Sequence, residues 1–159
     1  MALTRLSDVL WRERTLLELL LFKLEEEQMI LTSGRSRWLG HATREVETVL
    51  DEIRSAELGR AAEADAVAAM LGLAPGSSLA ELADRAPAPW DELLRAHRDA
   101  FASLTTEISM LADGNRELLA MSHRATQETL LSLQEVHTYD GSGHAAGAAP
   151  TAQLVDRSL

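Results

Sequence analysis

The longest regular pattern of apolar residues lies between Trp90 and Leu133, a stretch without proline. Its large apolar side chains recur every three or four positions, which places them in one stripe along an α-helix. A helix of this length is about 66 Å long, which predicts an elongated bundle or a coiled coil. The stripe consists of Trp90, Leu94, Phe101, Leu104, Ile108, Leu111 and Leu118.

The stripe changes character after Leu119. The next positions of the stripe are small or polar, namely Ser122, Ala125 and Thr129. Large apolar residues return only at the end of the helix, as Leu130 and Leu133. The first half therefore predicts a permanently buried seam. The second half predicts a face that is buried weakly or only part of the time.

Two polar residues interrupt the first half of the stripe. His97 is predicted to be a core or boundary histidine rather than a metal ligand. Asn115 has two interpretations: a buried polar group that sets the register of the helix at a cost in stability, or a boundary residue that faces water.

The rest of the chain has the same helical periodicity, with recognisable starts and stops. Leu6-Ser7-Asp8 is typical of a helix start, because Ser7 can cap free N–H groups and Asp8 favours the positive end of the helix dipole. Gly34 predicts a break, and Gly72 followed by Leu73 predicts a Schellman end. Ser78 to Glu81 matches a capping box that starts a short helix. The predicted helices are 7–32, 36–71, 79–85 and 90–134.

These elements predict an all-α fold: an elongated antiparallel helical bundle or coiled coil of three long helices plus one short helix. Residues 1–134 form one domain, and residues 135–159 form a flexible tail rich in Gly, Ala and Ser. The sequence does not decide whether the first two helices form a hairpin or run on through Gly34. The predicted core is Leu17, Leu20, Leu24, Val46, Val49, Ile53, Phe101, Leu104, Ile108 and Leu111.

The composition and charge of the chain argue against several classes of function. The formal net charge is −10, and no basic stripe is present, which argues against nucleic acid and anionic membranes as partners. There is no cysteine, and no apolar run is long enough to span a bilayer, so a soluble cytoplasmic protein is expected. No histidine follows a glutamate by three residues, and no phosphate loop or nucleophile elbow occurs. Neither an enzyme nor a cofactor or metal site is predicted.

Several segments, taken in order, resemble the FlgN-type flagellar export chaperones. They are Arg5-Leu6-Ser7-Asp8-Val9-Leu10, Leu21 with Leu24-Glu25-x-Glu27, Glu57-x-x-Arg60, Leu71-Gly72-Leu73, Ser78-Leu79-x-Glu81-Leu82, Asn115-x-x-Leu118-Leu119 and Thr138-Tyr139-Asp140-x-x-Gly143. The resemblance implies a cytoplasmic chaperone that binds unassembled hook–filament junction proteins (FlgK/FlgL type). It also implies delivery of these clients to the cytoplasmic domain of the flagellar export gate.

A chaperone of this class needs an apolar helical face that it does not fill itself. The weak second half of the long helix offers one, so the client-binding residues are predicted to be Leu118, Leu119, Ser122, Ala125, Leu130 and Leu133. The resemblance implies an export-gate contact at Tyr139, Asp140 and Gly143. The chaperone is expected to be a monomer or weak homodimer. The alternative is a structural coiled-coil adaptor without a transient client, which would be a constant rod-like oligomer.

Overall fold

The computed structural model describes residues 1–138, with side chains as far as Glu135. All regular elements in this part of the chain are helices. Helix α1 spans Ala2–Ser33, a short 3₁₀ helix spans Ser36–Trp38, and α2 spans Leu39–Met70. Helices α3 (Leu79–Arg85) and α4 (Trp90–Thr138) follow. The fold is the predicted all-α helical bundle.

The start of α1 differs from the prediction. The helix begins at Ala2 rather than near Ser7, and Met1 at its N-cap position makes no side-chain capping hydrogen bond. The reason is burial, because Leu3 and Leu6 are 7% and 0% exposed and belong to an apolar cluster. Removing two leucine side chains from water outweighs the local preference of Ser7 for a cap position.

Helices α1 and α2 form a hairpin. Gly34 ends α1 with φ of 71°, a left-handed conformation that glycine adopts without steric cost. Ion pairs then join the two helices at Arg5–Glu63 (3.1 Å), Glu13–Arg60 (3.3 Å) and Lys23–Glu45 (2.8 Å). Residue numbers rise on α1 as they fall on α2, so the two helices are antiparallel.

The connection from α2 to α4 has the local structure that its sequence predicts. The Leu73 amide donates to the Ala68 carbonyl and the Gly72 amide to the Ala69 carbonyl, which is the Schellman arrangement. At α3, the Glu81 amide donates to Ser78 Oγ, and the Ser78 amide donates to Glu81 Oε2. The capping box is therefore complete.

Two apolar clusters form the core. The first joins α1, the end of α2, α3 and the start of α4 through Leu3, Leu6, Leu10, Val67, Ala68, Leu82, Ala83 and Leu94. The second joins α1 and α2 through Leu16, Leu20, Leu24, Val46, Val49 and Ile53, with Ile108 and Leu111 of α4 packed against it. Five of the ten predicted core residues are buried; Leu17, Phe101, Leu104, Ile108 and Leu111 are only partly buried.

The direction of α4 follows from its contacts with the hairpin. His97 packs against Trp11 with ring centroids 4.8 Å apart, and Asn115 Nδ2 donates to the Leu24 carbonyl at 2.9 Å. Residue numbers rise together, so residues 90–116 of α4 run parallel to α1 and antiparallel to α2. The chain divides by its internal contacts into a unit Met1–Arg116 and a second unit that begins at Glu117.

Candidate functional site

The buried titratable groups lie inside the unit Met1–Arg116. Glu13 is 2% exposed, and burial raises the pKa of its carboxyl group despite the nearby Arg60 guanidinium. His97 is 1% exposed, and burial together with the charge of Arg14 lowers the pKa of its imidazole. Neither side chain is exposed enough to form part of a surface for a partner.

Asn115 is also buried, which decides between its two interpretations. Its side chain is 1% exposed, and Nδ2 donates both to the Leu24 carbonyl and to Glu27 Oε1, at 2.9 and 3.1 Å. Thr43 Oγ1 donates to the other oxygen of Glu27 at 3.3 Å. Residues of α1, α2 and α4 thus share one polar network at Asn115, which places this residue in the core rather than at a boundary facing water.

The second unit carries the predicted client-binding face. None of the described side chains of residues 117–135 is buried. By their spacing in α4, the six predicted residues share one face of the helix. Leu118, Leu119 and Leu130 are partly exposed, Leu133 is 48% exposed, and Ser122 and Ala125 are exposed. We call the surface formed by Leu118, Leu119, Ser122, Ala125, Thr126, Thr129, Leu130 and Leu133 the α4 face.

Two threonines make the α4 face more apolar than its composition indicates. Thr126 Oγ1 donates to the Ser122 carbonyl and Thr129 Oγ1 to the Ala125 carbonyl, both at 2.9 Å. With its hydroxyl bound to the helix backbone, each threonine presents its methyl group outward. The sequence pattern pointed to Thr129 as a small position but missed Thr126, which lies in the same surface because it is four residues after Ser122 and four before Leu130.

The other side of this helix segment is polar and charged. It carries Glu117, Arg124, Gln127, Glu128 and Glu135, all exposed. Leu131 (59% exposed) also lies on this side, whereas Met121 (58% exposed) lies at the margin of the α4 face, three residues after Leu118 and four before Ala125. The segment is therefore amphipathic, with its apolar residues concentrated on one side.

The predicted gate-binding residues Tyr139, Asp140 and Gly143 lie outside the described residues. Within residues 1–138, no group of His, Asp or Glu side chains has an arrangement that could hold a metal ion. In the same range, none of the helices is long and apolar enough to cross a bilayer.

The described helices pack against one another and leave an apolar face of α4 exposed, which is typical of helical proteins that bind a partner helix. The chain belongs to the FlgN protein family, whose model matches residues 1–146. This is a family of flagellar chaperones that bind flagellar proteins. Comparison with curated proteins and with solved structures gave no match.

Proposed function

We propose that this protein is a cytoplasmic flagellar type III export chaperone that binds unassembled hook–filament junction proteins of the FlgK/FlgL type. The client binds the α4 face and is kept from premature assembly until it reaches the export gate. The observation that carries this proposal is the exposure of the leucines in the α4 face, at Leu118, Leu119, Leu130 and Leu133. Membership of the FlgN family, whose chaperones bind flagellar proteins, supports a flagellar client.

The α4 face suits an amphipathic helix of the client. Leucines at both ends of the face can contact apolar side chains of the client, and the small Ser122 and Ala125 between them allow close approach of a second helix. Each Å² of apolar surface that the complex buries contributes about 25 cal/mol before the costs of ordering. The client's own assembly helix would then be covered while it is bound.

The decisive experiment replaces Leu130 and Leu133 with aspartate. Both side chains are partly or largely exposed, so the melting temperature should stay nearly unchanged. Two charges in the contact should weaken client binding by at least about a hundredfold, since each carboxylate would be desolvated without a partner. Binding is measured by titrating a purified junction protein in a calorimeter.

The matched control is Gln127→Asp with Leu131→Asp. It places two aspartates on the same helix segment but on the side opposite the α4 face, at exposed side chains. Client affinity should remain within about threefold of wild type, as for a change at the edge of an interface. Equal loss of binding in both double variants, or none in either, would remove the α4 face as the client site.

Delivery to the export gate is assigned to Tyr139, Asp140 and Gly143. The support is the Thr138-Tyr139-Asp140-x-x-Gly143 segment, which the FlgN family match covers. A tyrosine offers an apolar ring and one hydrogen-bonding group, a combination frequent at the centres of protein interfaces.

A further inference from the structure

The turn that joins α1 to α2 is a basic surface on an acidic chain. Between Glu27 and Glu45 the sequence has no acidic residue, although the formal net charge of the chain is −10. Arg35, Arg37 and Arg44 lie in this segment, and all three are exposed. Within the part of the chain that the structure describes, none of the three makes an ion pair. We call the surface formed by Arg35, Arg37, Trp38, His41 and Arg44 the hairpin tip.

The hairpin tip is held in shape by local contacts. The 3₁₀ helix Ser36–Trp38 connects α1 and α2, and the Trp38 amide donates to the Arg35 carbonyl at 3.2 Å. The Arg37 guanidinium stacks on the Trp38 ring at 4.6 Å, and the centroid of the His41 ring lies 5.7 Å from it. Trp38 is still 46% exposed. The hairpin tip therefore offers an aromatic ring together with three arginines that have no anionic partner.

A recess of about 340 Å³ lies beside the Trp38 ring. Apolar walls come from Ile30, Trp38 and Ala42, which gives room for one large apolar side chain. Two carboxylates also line the recess, but Lys23 binds both of them, Glu26 at 3.5 Å and Glu45 at 2.8 Å. Their charge is therefore partly neutralised, whereas the charge of the arginines is not.

We propose that the hairpin tip binds an acidic segment of a partner protein that carries one large apolar residue among its carboxylates. The apolar side chain enters the recess and covers the Trp38 ring, while the carboxylates pair with Arg35, Arg37 and Arg44. Arginine suits this role because its planar fork of N–H groups matches the geometry of a carboxylate. The hairpin tip shares no residue with the α4 face or with the proposed gate contact, so this is a further binding site.

An anionic membrane or a nucleic acid fits the hairpin tip less well. Attraction to anionic lipid usually involves a cluster of about four to eight basic residues, and the hairpin tip has three arginines. Glu26 and Glu45 at the recess and the net charge of −10 repel phosphate groups over any wider contact. A protein segment contacts only the hairpin tip, with its apolar side chain at the recess and its carboxylates at the arginines.

The first test titrates the full chain into a fluorescein-labelled peptide that has one phenylalanine between two runs of glutamate. Fluorescence anisotropy measures binding. One control peptide has alanine in place of the phenylalanine, and a second has glutamine in place of every glutamate. The chain should bind the first peptide at least about tenfold more tightly than either control, because the contact needs both the recess and the arginines.

A charge reversal tests the part of the arginines. Arg35→Glu with Arg37→Glu should weaken binding of the first peptide by about tenfold or more, since carboxylates then face carboxylates. The matched control is Arg12→Glu with Arg98→Glu, which reverses two exposed arginines elsewhere. Arg12 lies about 33 Å before Gly34 along α1, where salt screens its effect on the hairpin tip. Affinity of the control should stay within about twofold of wild type.

Trp38→Ala tests the recess. It should weaken binding of the first peptide by about tenfold and leave binding of the alanine peptide unchanged, because only the phenylalanine contacts the ring. Since Trp38 is 46% exposed, the variant should remain folded, and its melting temperature checks this. The charge-reversal variant changes only exposed side chains and tests the same site independently.

Three results would overturn the proposal. Equal affinity for the first peptide and its alanine control would show that the recess takes no side chain. Equal loss of binding in the two double variants, or none in either, would place the contact away from the hairpin tip. Binding to phosphatidylglycerol vesicles or to a single-stranded oligonucleotide, without binding of the peptide, would assign the arginines to phosphate groups instead.

Discussion

At the residue scale, the contact partners of the buried polar side chains of α4 are the part of the structure that the sequence predicts least. The periodic pattern placed His97 and Asn115 on the buried stripe, but not their partners. Asn115 bonds to the Leu24 carbonyl and to Glu27, which are about 90 residues away in the chain. Such a contact depends on how three helices pack together, so no local spacing could have indicated it.

His97 predicts a pH-dependent stability. Both ring nitrogens are buried without a hydrogen bond, among Trp11 and Arg14 of α1 and Phe101 of its own helix. Because burial and Arg14 lower its pKa from 6.5, protonation favours the unfolded chain. The stability that neutral His97 allows is present above pH 6.5, and it is lost progressively as the pH falls below 6.5. Between pH 7.5 and 5.5 the free energy of unfolding should therefore fall, by no more than about 1.4 kcal/mol, which is the limit that the unfolded-state pKa sets over this pH range.

The measurement is urea unfolding of wild type and His97→Leu at both pH values. The variant should lack this loss, since leucine has no proton to bind. Glu13 acts in the opposite sense, because burial raises its pKa and the folded state takes up its proton first as the pH falls. The variant's stability should therefore stay level or rise slightly toward pH 5.5. An equal decline in both proteins would assign the pH dependence to other groups.

At the scale of single elements, helix ends were predictable where the residues that determine them are close together in the sequence. The capping box of α3 and the Schellman end of α2 involve residues within six positions of one another, and both were predicted from the sequence. The predicted start of α1 was wrong because burial of Leu3 and Leu6 depends on Val67 and Leu82, which lie far away in the sequence. Tertiary contacts there outweigh capping preference.

Within α4, the stripe of apolar residues is uneven in burial. Leu94 is 1% exposed inside the first core cluster, whereas Leu104 is only partly buried. Leu94→Ala should lower the free energy of unfolding by about 2–5 kcal/mol, because it removes buried methyl groups and leaves a cavity. Leu104→Ala should cost clearly less, about 1 kcal/mol. Urea unfolding of the two variants side by side checks the difference; equal costs would contradict the burial of Leu94.

At the scale of the whole molecule, the two contacts of the proposed function use separate parts of the chain. The α4 face begins after Glu117, and the proposed gate contact begins at Tyr139. The sequence predicted the α4 face, because the change from large apolar residues to small or polar ones after Leu119 indicates where α4 stops contributing to the core. It did not indicate that Trp11, Phe22 and Met29 of α1 are exposed, since apolar residues 11 and 7 positions apart do not stand out beside a leucine-rich buried side.

This separation predicts that gate binding can be lost while client binding remains. Tyr139→Ala removes the ring proposed to enter a pocket of the export gate's cytoplasmic domain, without touching the α4 face. Client affinity should stay at the wild-type value, and gate affinity of the client-loaded chaperone should fall at least about tenfold. Secretion of the junction protein should fall with gate affinity. Calorimetric titration and a secretion assay measure these quantities.

Tyr139→Phe is the matched variant, because it keeps the ring and removes only the hydroxyl group. If burial of the ring provides most of the affinity, phenylalanine should retain most gate binding; if the hydrogen bond does, it should behave like alanine. Client binding that falls together with gate binding in Tyr139→Ala would show that one surface serves both partners. Unchanged gate affinity in the client-loaded alanine variant would remove Tyr139 from the gate contact.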